Sequence, residues 1–399
     1  MKNRILINPF EKISKRKMQG GISISEKIHV CGQKYISILK FFFSVFLFFY
    51  ILNLPLGSEQ SDFIEKNIQS DIVFSLGGDS ENEDFYRPRY FCVDKVGNIY
   101  ILDSGNCRIQ VFSSEGKYLF TFGDSGQGPG ELTNSAHKLK ILSDGNIYLI
   151  DNRQKRITVF SKKGKYLKSF KVDKAYDDII KIDNNYYLSN IILSSSHKPI
   201  HCTSDFENIK QSFGQIIEPT PGIIKQVQSL PSPYNHIQKN EFINIGGYTN
   251  LIANSGGEII YSQQNPYHLV RYDQNGSKIS TKKGNVDFKT HFPLTIEFKE
   301  NRLKKHVKTP FSHVLDMIPV NQNEFIVPVA GPDKSFFYLD VYNSDFKQTF
   351  RYKLPNTFYE YKKPSGFTNI VIDENNNFYG LVVSRDVIPK FIKAKLIIN

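Results

Sequence analysis

Short apolar runs, broken at regular intervals by Gly, Asn, Asp and Ser, dominate the chain from about residue 88 onward. The clearest stretch begins with Phe91-Cys-Val93, turns at Lys95-Val96-Gly97-Asn98, and resumes at Ile99–Leu102. Arg108–Phe112 and Tyr118–Phe122 follow, separated by a second turn around Gly116. Alternation and β-branched or aromatic content predict four short strands here, termed A to D. The same signature returns as Ile141-Leu-Ser-Asp-Gly-Asn-Ile-Tyr-Leu-Ile-Asp151, Arg156-Ile-Thr-Val-Phe160, Lys163-Gly-Lys-Tyr-Leu167 and Phe170. Gly97 and Gly145, Asp103 and Asp151, Arg108 and Arg156, and Gly116 and Gly164 are each 48 residues apart. A fixed period of this size marks a repeat array. Four strands per period mark the blade of a β-propeller. The four glycines fall at the A–B and C–D hairpin turns, where a positive φ is needed.

Weaker copies continue the series. A third blade runs from Ile179–Leu188 to Phe213-Gly214, and a fourth from Asn250–Tyr261 through Leu269–Gly276. A fifth contains Asn323–Val327 and Phe337–Tyr342, and a sixth Ile370–Gly380. The last apolar run, Phe391–Ile398, reads as strand C of blade six, and no strand D follows it. Before the first blade, Asp71-Ile-Val-Phe-Ser-Leu-Gly-Gly78 matches Lys117–Asp124 in spacing and in its closing glycine. Ile72–Leu76 is therefore expected as the outer strand of blade six, which would otherwise expose a pairing edge. The predicted fold is all-β: a six-bladed propeller of four-stranded antiparallel blades, its ring closed by that N-terminal strand.

The pattern D-x-x-G-N-I-Y-x-x-D-x-x-N-x-R-I-x-V-F-x-x-x-G-K-Y-L closely resembles the NHL repeat, a blade type of six-bladed propellers. The resemblance is strong over residues 88–130, good over 136–173, and reduced to spacing beyond. It implies a Gly-rich connection between blades, which Gly123-Asp-Ser-Gly-Gln-Gly-Pro-Gly130 supplies. Read as a phosphate cradle, the same segment lacks the Lys-Ser/Thr and following helix of a P-loop. Six-bladed relatives include lyases and lactone hydrolases that use metal-bound channel residues.

Composition agrees with sheet: 32 Phe and 22 Tyr, no Trp, 40% hydrophobic and 23% charged residues. The net charge of +12 is unevenly placed. Residues 1–40 hold nine Lys/Arg against Glu11 and Glu26, a net +7. The remainder carries 42 basic and 37 acidic side chains, a net +5 that is ordinary for solubility and argues against a nucleic-acid partner. Phe41–Leu52 then forms an apolar core of signal-peptide length, and Ile36–Leu56 reaches 21 residues interrupted by Lys40. Pro55-Leu-Gly-Ser-Glu59 fits cleavage after Gly57 or Ser58. The head is long for a signal peptide, and Met18 offers a later start. Residues 1–58 are read as a basic head plus signal peptide or membrane anchor, and 59–399 as the propeller. The basic head stays inside, so the propeller is expected outside the cytoplasm, touching the membrane only through that segment if it is retained. Cys92, Cys107 and Cys202 are an odd number without close pairs, and imply no disulfide framework.

Several candidate sites reduce to structure on inspection. Asp103 with Arg108 and Asp151 with Arg156 suit a pair fixing the B–C turn, because the pair recurs with the blade. Asp373-Glu-Asn-Asn-Asn377 starts like a calcium loop, but Phe378 and Ser384 stand where Gly and a bidentate Glu are required, so a hairpin turn is expected. His197, His201 and Cys202 lack a fourth ligand. Two long insertions, Pro219–Gly247 and Asp287–His313, exceed ordinary connection length. The second carries Pro293–Lys308, basic at its end and compatible with a short helix; a solvated crossover is expected ahead of a lid or contact patch on the ring face. Aligning the starts of the six A strands brings Arg89, His137, Lys138, Tyr248, Thr249, His313, Thr368 and Asn369 to one channel mouth, a polar lining for a ligand. Enzymes of this fold need several carboxylate or His ligands from different blades. Here the aligned starts offer His137, His313 and one nearby acid, Asp178. The sequence therefore favours a non-catalytic binding module for a protein, peptide or glycan, with neither metal nor cofactor. The alternative is a metal-dependent lyase or lactone hydrolase acting in the channel.

Overall fold

A computed structural model describes residues 63–78, 84–190, 198–217, 249–263, 266–284, 294–299, 302–307, 313–330, 336–355, 366–384 and 387–398. The basic head and hydrophobic segment, Tyr248, and His197 lie outside these described residues. Contacts divide the chain into Met1–Asp62 and Phe63–Asn399.

Two strands, β1 (Ile64–Asn67) and β2 (Gln69–Leu76), precede the first blade. Blade I is β3 (Pro88–Val93), β4 (Ile99–Asp103), β5 (Arg108–Phe112) and β6 (Tyr118–Phe122). Blade II is β7 (Ala136–Ile141), β8 (Ile147–Asp151), β9 (Arg156–Phe160) and β10 (Tyr166–Lys171). Blade III is β11 (Asp178–Ile182), β12 (Asn185–Ser189), β13 (Ile200–Thr203) and β14 (Ile209–Phe213). Blade IV is β15 (Thr249–Ala253), β16 (Ile259–Gln263), β17 (His268–Tyr272) and β18 (Lys278–Lys283). A two-stranded hairpin of β19 (Leu294–Lys299) and β20 (Arg302–Val307) follows. Blade V has an interrupted inner strand, β21 (His313–Val314) and β22 (Ile318–Pro319), then β23 (Glu324–Ala330), β24 (Phe336–Asn343) and β25 (Gln348–Pro355). Blade VI is β26 (Gly366–Ile372), β27 (Asn377–Ser384) and β28 (Val387–Ile397), with β2 as its fourth strand.

β2 runs antiparallel to β28, from Gln69 opposite Ile397 to Leu76 opposite Phe391. β1, which the sequence pattern does not reveal, adds to blade V instead, parallel to β25 with Ile64 opposite Phe350 and Asn67 opposite Lys353. One extended segment therefore serves two blades in succession. Ile68, between its halves, donates its N–H to the Lys353 carbonyl and is 2% exposed.

The core is divided among the blade interfaces. Separate buried clusters join blade I to II, II to III, III to IV, IV to V, and V to VI. A further cluster packs Phe91, Ile99 and Phe112 of blade I against Tyr379, Leu381 and Phe391 of blade VI. Each blade is apolar on both faces, which accounts for the continuous apolar runs of strands B and C.

The repeat motif has a physical explanation in the A–B turn. Asp94 accepts from the backbone N–H of Val96 and of Asn98, and Tyr100 of strand B donates its hydroxyl to the same carboxylate. Asp373 repeats the arrangement with Tyr379 at 2.9 Å, while Asp144, two positions nearer its strand, accepts the Asn146 N–H and reaches Tyr148 at 2.8 Å. D-x-x-G-N-I-Y thus encodes a side-chain-capped turn. Asp373–Asn377 is such a turn, its carboxylate receiving the N–H groups of Asn375 and Asn377.

Two expectations need correction. The stretch within Pro293–Lys308 is a β-hairpin, with Lys299 opposite Arg302, rather than a short helix. Leu294, Ile296 and Phe298 alternate with Thr295, Glu297 and Lys299, a period of two that outweighs the helix-forming charges nearby. The Asp–Arg pair is also less uniform than its recurrence implies. Arg108 Nε lies 2.9 Å from Asp103, but Arg156 instead donates to the carbonyls of Gln127 and Glu131 and pins the Gly-rich connection. Asp151 is satisfied by Thr133 and Ser135, and by the N–H groups of Arg153 and Gln154.

Candidate functional site

Strand direction gives the propeller two unlike ends. The A–B and C–D hairpins lie together at one end, the hairpin end; the B–C turns and the connections between blades lie at the other. The long insertion Pro219–Gly247 lies outside the described residues, as does much of Asp287–His313 beyond the β19–β20 hairpin.

The innermost strands are β3, β7, β11, β15, β21 with β22, and β26. Their side chains meet across the axis. Tyr90 of blade I donates its hydroxyl to Asp316 Oδ2 of blade V at 2.5 Å. Lys138 Nζ of blade II stands 4.3 Å over the Tyr90 ring and 3.7 Å from Asp178 of blade III. Lys140 Nζ reaches Asp178 Oδ2 and the Leu251 carbonyl of blade IV, both at 2.9 Å. Asp178 Oδ2 also accepts the Leu251 N–H at 2.8 Å. Asn369 of blade VI donates to the Phe91 carbonyl of blade I. Inner strands have one edge without a strand partner, and these side chains satisfy several of its backbone groups. The result is a polar girdle of two lysines, two aspartates and a tyrosine from four blades.

The environment tunes these groups. Burial, then the charges of Asp316 and Asp178, push the Tyr90 phenol well above its ordinary range, so it remains a hydroxyl donor. Burial lowers Lys140, while the Asp178 carboxylate acts in the opposite sense. Both aspartates also accept a backbone N–H from the next residue, Ile179 and Met317 respectively.

A cavity of about 720 Å³ adjoins the girdle and extends to the hairpin end. Tyr90, Lys140, Asp316 and Asn369 line its inner part, and the turn residues Lys95, Glu374 and Asn375 its outer part. Apolar wall comes from Val93, Ile141, Ile318 and Ile372. A second hollow of about 600 Å³ lies among the A–B turns of blades II, III and IV, beside Asp144, Lys181 and Asn254.

The sequence-predicted mouth residues are dispersed. Lys138 and Asn369 belong to the channel wall just described. His137, half-buried, turns to the Tyr176 carbonyl at 3.1 Å and the Asn152 amide at 3.3 Å, tying blade II to the connection that leads into blade III. Its burial, followed by the nearby charges of Lys138 and Arg89, lowers it to about 4. Thr249 is buried against Ser189 at 2.6 Å and near Asp177 at 3.4 Å. Arg89 is exposed at the start of β3. His313 opposes Ala330 in β21, and Thr368 lies within β26. Tyr90, Lys140 and Asp316 were missed as site residues. Tyr90 is the blade I equivalent of Lys138, 48 positions earlier, so the repeat itself carried that signal. Asp316 falls in the break between β21 and β22, which no periodic pattern marks.

His201 is held by Ser212 at 2.7 Å inside blade III, and Cys92, Cys107 and Cys202 are buried free thiols. Among the described residues, no group of three or more His, Cys, Asp or Glu is placed to hold a metal ion, and no helix is long and apolar enough to cross a membrane.

A family described as 6-bladed beta-propeller (DUF5128) matches residues 90–378. No curated protein matches the sequence. Among solved structures, a DUF4221 family member from Bacteroides vulgatus is 11% identical with a TM-score of 0.51, covering 84% of this chain and 99% of that one. A candidate exported protein from Bacteroides fragilis is 10% identical with a TM-score of 0.50, covering 84% and 99%. A catalytically inactive virginiamycin B lyase from Staphylococcus aureus is 14% identical with a TM-score of 0.47, covering 81% and 99%. Identities this low speak to the fold alone.

Proposed function

The chain belongs to the six-bladed β-propeller family that matches residues 90–378, and we propose on that footing that it is an exported, non-catalytic binding module. Its ligand, a protein, peptide or glycan, inserts a protruding group into the cavity at the hairpin end. The observation that carries this reading is the cavity itself: about 720 Å³, reached by polar side chains of blades I, II, V and VI. Concave sites with a few convergent polar groups in an otherwise apolar wall are the usual form of ligand pockets. Export is supported by the basic head and the apolar core Phe41–Leu52. Kinship with NHL-type blades is supported by the Asp-capped turn that gives D-x-x-G-N-I-Y its spacing.

Screening the full chain against immobilised peptides and glycans tests the reading. Asn375, exposed on a turn of blade VI, lines the outer cavity, and Asn375→Trp narrows its entrance. Capture that is lost in Asn375→Trp but retained in Arg153→Ala, at the opposite end, is the expected result. Capture indifferent to Asn375→Trp, or chemical turnover of the captured compound, overturns it.

A further inference from the structure

The girdle limits what the cavity can accept. At its inner part Lys140 and Asp316 face the same space, with Lys138 and Asp178 beside them. Two ammonium groups and two carboxylates leave this cluster without net charge. A ligand carboxylate brought here meets Asp316, and a ligand ammonium meets Lys140. Either pays a desolvation cost that one favourable partner does not recover. A neutral group rich in hydrogen bonds meets no such opposition.

Hydrogen-bonding capacity remains on both sides. An ammonium has three donors, and those of Lys140 are matched by two acceptors, Asp178 and the Leu251 carbonyl. A carboxylate has about four acceptor positions, and Asp316 receives the Tyr90 hydroxyl and the Met317 N–H. One donor and further acceptor positions are thus left over by these bonds, on two side chains that both line the cavity. Two adjacent hydroxyls complement that set, one accepting from Lys140 while its neighbour donates to Asp316. The apolar wall of Val93, Ile141, Ile318 and Ile372 suits the C–H faces of a sugar ring.

Resting on the cavity reading above, we infer that the ligand's inserted group is a neutral sugar, its paired hydroxyls bridging Lys140 and Asp316 beneath an apolar wall. A peptide end fits less well, because its terminal charge has an opposed partner in the cluster.

The test measures saturation-transfer NMR of the full chain with methyl glycosides of neutral monosaccharides, neutral disaccharides, and the open-chain polyol sorbitol. At least one cyclic sugar is expected to bind the parent chain and Arg153→Ala. Its affinity is expected to fall tenfold or more in Lys140→Met, in Asp316→Asn and in Asn375→Trp. Lys140→Met leaves Asp178 with less compensation and risks misfolding, so each variant is checked by circular dichroism; Asn375→Trp, at an exposed turn, preserves the core. Sorbitol binding as strongly as the cyclic sugars overturns the inference, because the ring is then not recognised. Peptide capture that depends on Asn375 without any sugar binding overturns the sugar and leaves the cavity reading intact. Sugar binding that survives Asn375→Trp places the site elsewhere and overturns both, as does binding of neither ligand class.

Discussion

Replacing Ile68 with alanine isolates the contribution of the segment that serves two blades. Ile68 is 2% exposed and shares its cluster with Leu339 and Leu354 of blade V and with Ile370, Phe378 and Ile392 of blade VI. The substitution removes three carbons, worth about 2.4 kcal/mol at roughly 0.8 kcal/mol per buried methylene. The cavity left behind raises this toward about 3–4 kcal/mol, within the range for Ile→Ala in cores. The backbone bond from Ile68 N–H to the Lys353 carbonyl survives, so packing alone is probed. Ile72→Ala, four residues on in the same segment but 55% exposed, is the control, with an expected change within about 0.5 kcal/mol. Denaturant unfolding followed by tyrosine fluorescence reads the difference as a lower midpoint for Ile68→Ala at unchanged slope. Coincident midpoints for the two variants refute the argument, since the segment would then be an appendage to blades V and VI and not part of their core.

Three further outcomes follow from other contacts. Arg351 holds the buried Asp340 through Nε at 2.6 Å and Nη2 at 2.8 Å, so Arg351→Met strands a carboxylate and is expected to cost about 3–5 kcal/mol in the same unfolding assay. Gly77 has a φ of +118°, and a Cβ there would sit 2.3 Å from the Pro389 carbonyl oxygen; Gly77→Ala should lower the midpoint by an amount corresponding to about 1–3 kcal/mol. His137 is held near 4 by burial, below its unfolded value, so the unfolded chain binds the extra proton between those two values. Its contribution is complete above about pH 6.5 and is lost as pH falls toward 4, by up to ~3 kcal/mol at 1.36 kcal/mol per unit. His137→Gln should flatten that part of the stability-versus-pH curve, and an unchanged slope contradicts the assignment.

Blades I and II were legible because their turns use one chemistry twice. Asp94 and Asp144 each accept an N–H of their turn and the hydroxyl of a strand B tyrosine, and Gly, Asn, Ile and Tyr recur 48 residues apart although the aspartate shifts by two positions. Blade V reads poorly because other residues do that work: Asn321 caps its A–B turn and Asn343 its C–D turn. Alternation still exposed its strands B and C, but the inner strand breaks between Val314 and Ile318 and leaves only two short ladders on β23. β1 escaped notice for a different reason. Glu65, Lys66 and Asn67 are polar, and the strand is set by pairing with β25, a partner no local pattern announces.

The candidate site was harder to read than the fold because its members are not equivalent positions of the repeat. A repeat specifies what every blade must share, and structural roles therefore recur. A site on the propeller axis needs the opposite: different side chains at matching positions, each blade contributing once. Tyr90 and Lys138 occupy one such position, Cys92 and Lys140 another, and in each pair the blade II lysine reaches across to Asp178. Looking for recurrence finds Asp94, Tyr100 and their counterparts, which hold turns. Looking for divergence at A-strand positions finds Lys138 and Lys140 against Tyr90 and Cys92, and these are the residues around which the girdle forms. The departures from the repeat on the inner strands are therefore the positions on which the proposed ligand site rests, and Lys140, in the place of Cys92, is the one that brings a charge to the cavity wall.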